Sequence, residues 1–221
     1  MAPQVPENEV YFYTQEEYGG SKNGYKIGDD VNLWPGPLND KFQSAAVGSG
    51  AKVLAWQHGD ASGVFAELTG ANPSLKFIGG LTRFRVIDDD TRVIAFKFVD
   101  GTGTGAAPRQ YSLKVDAADV GDKILYSNDT GGDDNDGGNE NEGFKLVGTI
   151  PEGGSDVTTA VYVRDESSGS YIATGSAYFR WNADSKQVDL DEKENFPPQL
   201  KAERAGPSKF IITLISTEPS S

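Results

Sequence analysis

Apolar residues along this chain alternate with polar ones over short spans and then give way to turn formers. That rhythm suits strands, whose successive side chains point to opposite faces. The spans VYFYT (Val10 to Thr14), AKVLAW (Ala51 to Trp56), LTRFRVI (Leu81 to Ile87) and TRVIAFKFV (Thr91 to Val99) show it in the first part of the chain. In the rest it recurs at TTAVYVRD (Thr158 to Asp165), SYIATGSAYFRW (Ser170 to Trp181) and KFIITLIS (Lys209 to Ser216). Gly, Asn, Asp and Pro cluster between these spans, as turns require. No long segment carries apolar residues at i, i+3, i+4 and i+7, so the expected fold class is all-β.

An internal repeat organises the first half. YTQEEYGG (Tyr13 to Gly20) and WQHGDASG (Trp56 to Gly63) start 43 positions apart and share one form: an aromatic, four residues, a sixth position, any residue, then glycine. DDVNL, ending at Leu33, then has a counterpart in ANPSL, ending at Leu75, and LNDKFQSAAV (Leu38 to Val47) in FIGGLTRFRV (Phe77 to Val86). Two Greek keys, about 9–48 and 51–89, are expected to form one sandwich over residues 1–89.

Residues 9 to 89 resemble the βγ-crystallin superfamily. Tyr13, Tyr18 and Gly20 match its (Y/F/W)xxxx(Y/F/W)xG signature in full; the second copy keeps Trp56 and Gly63 but has Ala61 at the second aromatic position. In that signature an aromatic pair lies under a folded hairpin, and the glycine takes a backbone conformation closed to residues with a Cβ. The resemblance also implies a calcium clamp of the form (N/D)(N/D)xx(S/T)S in each key. NDKFQS (Asn39 to Ser44) supplies Asn39, Asp40, the inward Phe42 and Ser44, with Gln43 in place of a hydroxyl ligand; IGGLTR (Ile78 to Arg83) keeps only Thr82. The metal-site candidates implied are therefore Asp40 for charge, Thr82 for a hydroxyl, the Lys41 carbonyl, and carbonyls of the Glu16–Glu17 hairpin, with Asn39, Gln43 and Ser44 as the rest of the motif. Calcium takes six to eight oxygens, and each lost one weakens the site. Binding that is weak, confined to one site, or lost is what these departures imply. A plain turn at LNDK is the alternative reading.

The most acidic run, DDNDGGNENEG (Asp133 to Gly143), does not make an EF-hand. Such a loop needs acidic or amide residues at its first, third and fifth positions, glycine at the sixth and glutamate at the twelfth. With Gly137 at the sixth, Gly132 and Gly143 fall at the two ends. Residues 128–143 are expected to be an acidic flexible loop between strands KILYS (Lys123 to Ser127) and FKLVGTI (Phe144 to Ile150). Residues 90–221 are expected to form a second, immunoglobulin-like sandwich of seven or eight strands, after a hinge at IDDDTR (Ile87 to Arg92). Tyr171, Tyr178, Phe179 and Trp181 share one strand of it, as core with one covered edge or as a ligand platform.

Charge and composition then remove function classes. A net charge of −13 argues against nucleic acid and against an anionic membrane as partners. Between residues 116 and 142, nine acids face a single base, Lys123. There is no cysteine, the single histidine, His58, sits in a turn with no nucleophile motif around it, and GTGTG (Gly101 to Gly105) lacks the lysine and helix of a phosphate loop. No enzyme is expected. The first residues carry no basic start and apolar run, so cytoplasmic residence is the expectation. The chain reads as a structural or storage-type protein with calcium as its ion. The alternatives are a carbohydrate- or protein-binding module using the second sandwich and, behind it, an inhibitor or toxin on a crystallin-like scaffold. The two-domain layout also resembles that of an abundant fungal fruiting-body protein, which implies accumulation during development.

Overall fold

The computed structural model describes residues 2–61, 63–103, 110–116, 123–127, 144–150, 156–185, 187–192 and 195–218. The acidic stretch 128–143 lies outside them. The chain divides into two compact units, the first ending at Asp90 and the second beginning at Thr91.

In the first unit the strands are β1 (Glu9–Tyr13), β2 (Lys22–Lys26), β3 (Asp30–Asn32), β4 (Ser44–Val47), β5 (Ala51–Trp56), β6 (Phe65–Leu68), β7 (Ala71–Asn72) and β8 (Arg83–Asp88). They form two four-stranded sheets, in the orders β2-β1-β4-β7 and β3-β8-β5-β6. The third strand of each key thus pairs in the other key's sheet, which ties the two repeats into one body. Along β1, Val10 and Phe12 are buried while Tyr11 is half exposed, as alternation demands. Phe12 is the hub of the core between the sheets. Its ring stacks on Phe42 at 5.0 Å and meets Phe84 at 4.7 Å, and Tyr25 stands edge-on to Phe84 at 4.7 Å.

On the edge strand β3, Asp30 takes hydrogen bonds from Arg83 (3.2 and 3.1 Å) and Arg85 (3.2 and 2.9 Å). Partial burial pushes its carboxyl up, but the two guanidinium groups outweigh that and hold it below the usual range. A carboxyl lowered on folding adds stability above its unfolded value, about pH 4, and loses it as pH falls through the lower folded one. Asp30→Asn is expected to flatten the acid limb of a stability-against-pH profile measured by urea unfolding, a modest effect at a partly solvated site.

The second unit holds nine strands among its described residues: β9 (Arg92–Asp100), β10 (Tyr111–Asp116), β11 (Lys123–Tyr126), β12 (Lys145–Ile150), β13 (Val157–Asp165), β14 (Tyr171–Asn182), β15 (Gln187–Asp191), β16 (Leu200–Arg204) and β17 (Lys209–Leu214). A five-stranded sheet, β11-β10-β13-β14-β15, and a four-stranded one, β12-β9-β17-β16, share one core. The first and last strands, β9 and β17, run parallel. Phe96, Phe179 and Phe210 meet in that core with centroids 5.6 to 6.3 Å apart. Seven or eight strands were expected here; the charged edge strands β15 and β16 carry the count to nine.

Candidate metal centre

The two keys repeat one backbone design. Tyr18 and Ala61 both take left-handed conformations (φ 65° and 62°), as do Gly20 and Gly63 (φ 73° and 76°). At Gly20 an added Cβ would lie 2.4 Å from the Thr14 hydroxyl, so the fold of the hairpin leaves no room for a side chain. Tyr13 and Tyr18 meet edge-on at 5.8 Å beneath the first hairpin, and the Ser44 hydroxyl fastens it, donating to the Gln15 carbonyl at 2.7 Å and accepting from the Tyr18 N–H at 3.0 Å. The second hairpin has neither device. Trp56 packs on Phe65 at 5.7 Å, and Arg83, which faces Trp56 as Ser44 faces Tyr13, turns to Asp30 instead.

The clamp segments correspond in the same sense. Gln43 donates its N–H to the Tyr13 carbonyl at 2.9 Å and Thr82 donates its own to the Trp56 carbonyl at 3.1 Å. Asp40 and Gly79 are both left-handed, at φ 56° and 72°. Asp40 then reaches across to the other key: its N–H donates to the Leu81 carbonyl at 3.2 Å, and its Oδ1 accepts from the Thr82 hydroxyl at 3.2 Å. The Asn39 amide donates to Asp40 Oδ2 at 2.5 Å, while Asn39 Oδ1 is buried with no hydrogen-bond partner.

These groups open on a cleft of about 790 Å³, which the second hairpin lines through His58, Gly59 and Asp60, the end of β3 through Asn32, and the loop after it through Trp34. Asn32 bridges the walls, donating to the Gly59 carbonyl at 3.3 Å and accepting from the Trp34 N–H at 3.0 Å. A carboxylate, a hydroxyl, an orphaned amide oxygen and nearby carbonyls form an all-oxygen donor set suited to a hard cation. Among the described residues no three His, Asp or Glu side chains gather, so any ion here would rest on few carboxylates and several neutral oxygens.

The other residues predicted for the site lie elsewhere. Glu16 accepts from the Ser74 hydroxyl at 2.7 Å and from the Lys76 ammonium at 3.1 Å; these bonds, Ser74's first and then Lys76's, hold its carboxyl below the usual range. Glu17 donates its N–H to the Pro73 carbonyl, the Gln43 carbonyl accepts from the Leu75 N–H, and Ser44 is fully buried under the first hairpin. Lys41 closes a turn on the Leu38 carbonyl at 3.1 Å. None of these five lines the cleft of Asp40. The second clamp has Gly79 where Asp40 stands in the first but keeps Thr82 at the hydroxyl position, where the first has Gln43, and the Lys76 ammonium sits on Glu16 of the first hairpin. Asn32, Trp34 and Asp60 were missed by reading the motifs; the equivalence of the two hairpins pointed to Asp60, and nothing in the motifs pointed to Asn32 or Trp34.

Gly80, at φ 117°, packs against Asp40: a Cβ there would lie 2.7 Å from Oδ1. Gly80→Ala is expected to displace the carboxylate and weaken cation affinity at least about tenfold, about 1.4 kcal/mol, measured by calorimetric titration.

In the second unit the aromatic strand splits by face. Phe179 is fully buried, Trp181 lies under the Arg92 guanidinium at 4.6 Å, Tyr178 is hydrogen-bonded to Asp156, and Tyr171, well exposed, meets Tyr162 edge-on at 6.0 Å.

The family model for Beta/Gamma crystallin matches residues 6–88, and one described as Membrane binding matches residues 94–215. The chain belongs to the two-domain βγ-crystallin proteins. Over 99% of its length it is similar to the crystal structure of the Abundant Perithecial Protein from Neurospora crassa, with 52% identity, all of that chain covered and a TM-score of 0.81. A separate structure of that protein's βγ-crystallin domain in the Ca2+-bound form is 49% identical over 41% of this chain and 100% of its own, with a TM-score of 0.40. Calcium-dependent cell adhesion molecule 1 of Dictyostelium discoideum is 25% identical over 221 residues, 96% of this chain and 98% of its own. The description of the second model runs against the expectation, drawn from net charge, of no membrane partner. Among the described residues no helix is long and apolar enough to cross a membrane.

Proposed function

We propose that this is a non-enzymatic structural or storage-type protein that holds one calcium ion, weakly, in its first unit. The observation that carries the reading is Asp40 of the first key set against Thr82 of the second at 3.2 Å, in an oxygen-lined cleft, while the second clamp has no aspartate and Glu16 of the first hairpin is already paired with Lys76. Asp40 supplies the charge, Thr82 a hydroxyl, Asn39 its unpartnered amide oxygen, and the Gly59–Asp60 hairpin the opposite wall. With so few carboxylates the expected Kd is about 10⁻⁴ M, in the range of extracellular modules rather than cytosolic sensors. Isothermal titration is expected to find one ion per chain, and none on Asp40→Ala. Two ions per chain, or undiminished binding to Asp40→Ala, would sink this reading.

A second reading is calcium-dependent surface association, favoured by the name of the Dictyostelium relative and by the description of the model matched in the second unit. Sedimentation of the whole chain with phosphatidylserine vesicles, pelleting with calcium and not with chelator, would support it.

A further inference from the structure

We propose that the Asp40 cleft takes a neutral polyhydroxylated ligand, a sugar, bridged by the calcium ion and stacked on Trp34. The proposal rests on the calcium reading above and adds the ligand. A single ion occupies a small part of about 790 Å³, so most of the cleft has room for something else. Trp34, on its rim, is 66% exposed, the largest exposure among the big apolar side chains of the described residues. Its main chain is held in place, because Asn32 takes the Trp34 backbone N–H and ties that segment to the Gly59 carbonyl. An open indole on a held backbone, beside a polar wall, is a surface on which the apolar face of a pyranose ring packs, while its hydroxyls turn to side chains such as His58 and Asp60.

Charge decides between a sugar and a phosphate. Among the described residues the lining contains no Lys or Arg, and it carries two carboxylates, Asp40 and Asp60. One calcium ion only balances those two, which leaves no surplus positive charge to hold a phosphate or an anionic headgroup. A vicinal diol completes the coordination of an under-liganded calcium without adding charge. Oxygen donors from the protein are few here, so open positions on the ion are to be expected.

The test is retention of the whole chain on beads carrying mannose, glucose, galactose, N-acetylglucosamine or fucose, with calcium or with chelator. Trp34→Ala and Asp40→Asn are run beside the wild type, and calcium uptake of each is measured separately by titration. Wild type is expected to be retained on at least one sugar only with calcium. Trp34→Ala is expected to keep its calcium while losing sugar affinity about tenfold or more, the change that about 1.4 kcal/mol of lost contact gives. Asp40→Asn is expected to lose both. If wild type takes calcium but is retained on none of the five sugars, or if Trp34→Ala is retained as well as wild type, the sugar proposal falls and the single-site reading survives. Trp34-dependent capture by phosphatidylserine vesicles in place of the sugars also overturns it. No calcium uptake at all brings down both.

Discussion

Phe12→Ala is expected to cost the first unit about 3–5 kcal/mol, the range for deleting a buried aromatic ring and leaving its cavity. Phe12 is fully buried and touches Phe42 from the first clamp, Phe84 from β8 and Tyr25 from β2, so the cavity would open at the point where both keys and both sheets meet. Aromatic neighbours already in contact on three sides are poorly placed to collapse into the gap. Against a total stability of about 5–15 kcal/mol for an ordinary domain, such a loss leaves little. Phe12→Leu keeps most of the volume and is expected to cost well under half as much. Urea unfolding followed by the fluorescence of the buried Trp56 checks both. A cost for Phe12→Ala no greater than that for Phe12→Leu would show that Phe12 is not the centre of the core.

How far the sequence foretold this structure varies with the physics of each element. β5 was read to the residue, Ala51 to Trp56, because every position in it is buried and the run is apolar apart from Lys52. β1, β8, β13, β14 and β17 were legible from alternation, since each has one face on a core, and β9 from its run of apolar and β-branched residues, buried from Val93 to Phe96. β15 (QVDLD) and β16 (LKAER) were not, because edge strands carry charge and their sequences read as loop. β3 and β7, three and two residues long, are too short for any period to show.

The site shows a different limit. The repeat register singled out Asp40 and Thr82, which the structure brings to 3.2 Å, but it assigned them the Glu16–Glu17 hairpin rather than Gly59–Asp60. Which hairpin faces which clamp depends on the third strand of each key crossing to the other sheet, and nothing in a linear motif records that crossing. The crossing also changes what degeneracy means. Each clamp motif looks half ruined when read alone, Gln43 spoiling the first and Gly79 the second. In space the survivors, Asp40 and Thr82, meet in one cleft, which Gly79 also lines, whereas Gln43 lies outside it. The sequence thus describes one candidate site kept and one given up, rather than two damaged ones.

That division leads to the second large effect. Calcium at a hundredfold excess over Kd is expected to stabilise the first unit by about 2.7 kcal/mol, since it binds the native state and finds no assembled site in the unfolded chain. For a unit of this size the melting temperature should rise by about 10 °C or more. Asp40→Ala should abolish the rise, having removed the charge on which the neutral oxygens depend. Glu16→Gln should leave the rise intact, because Glu16 is engaged with Ser74 and Lys76 and lines no part of the Asp40 cleft. Scanning calorimetry of the three proteins with calcium and with chelator separates the cases. Were Glu16→Gln to lose the rise and Asp40→Ala to keep it, the ion would sit in the clamp that Lys76 occupies, and the assignment of the two halves would have to be reversed. A rise lost in both variants would mean that the two clamps act together, each ion needing the other key's hairpin intact. Only the pattern in which Asp40 matters and Glu16 does not is compatible with a single ion at the crossing of the keys.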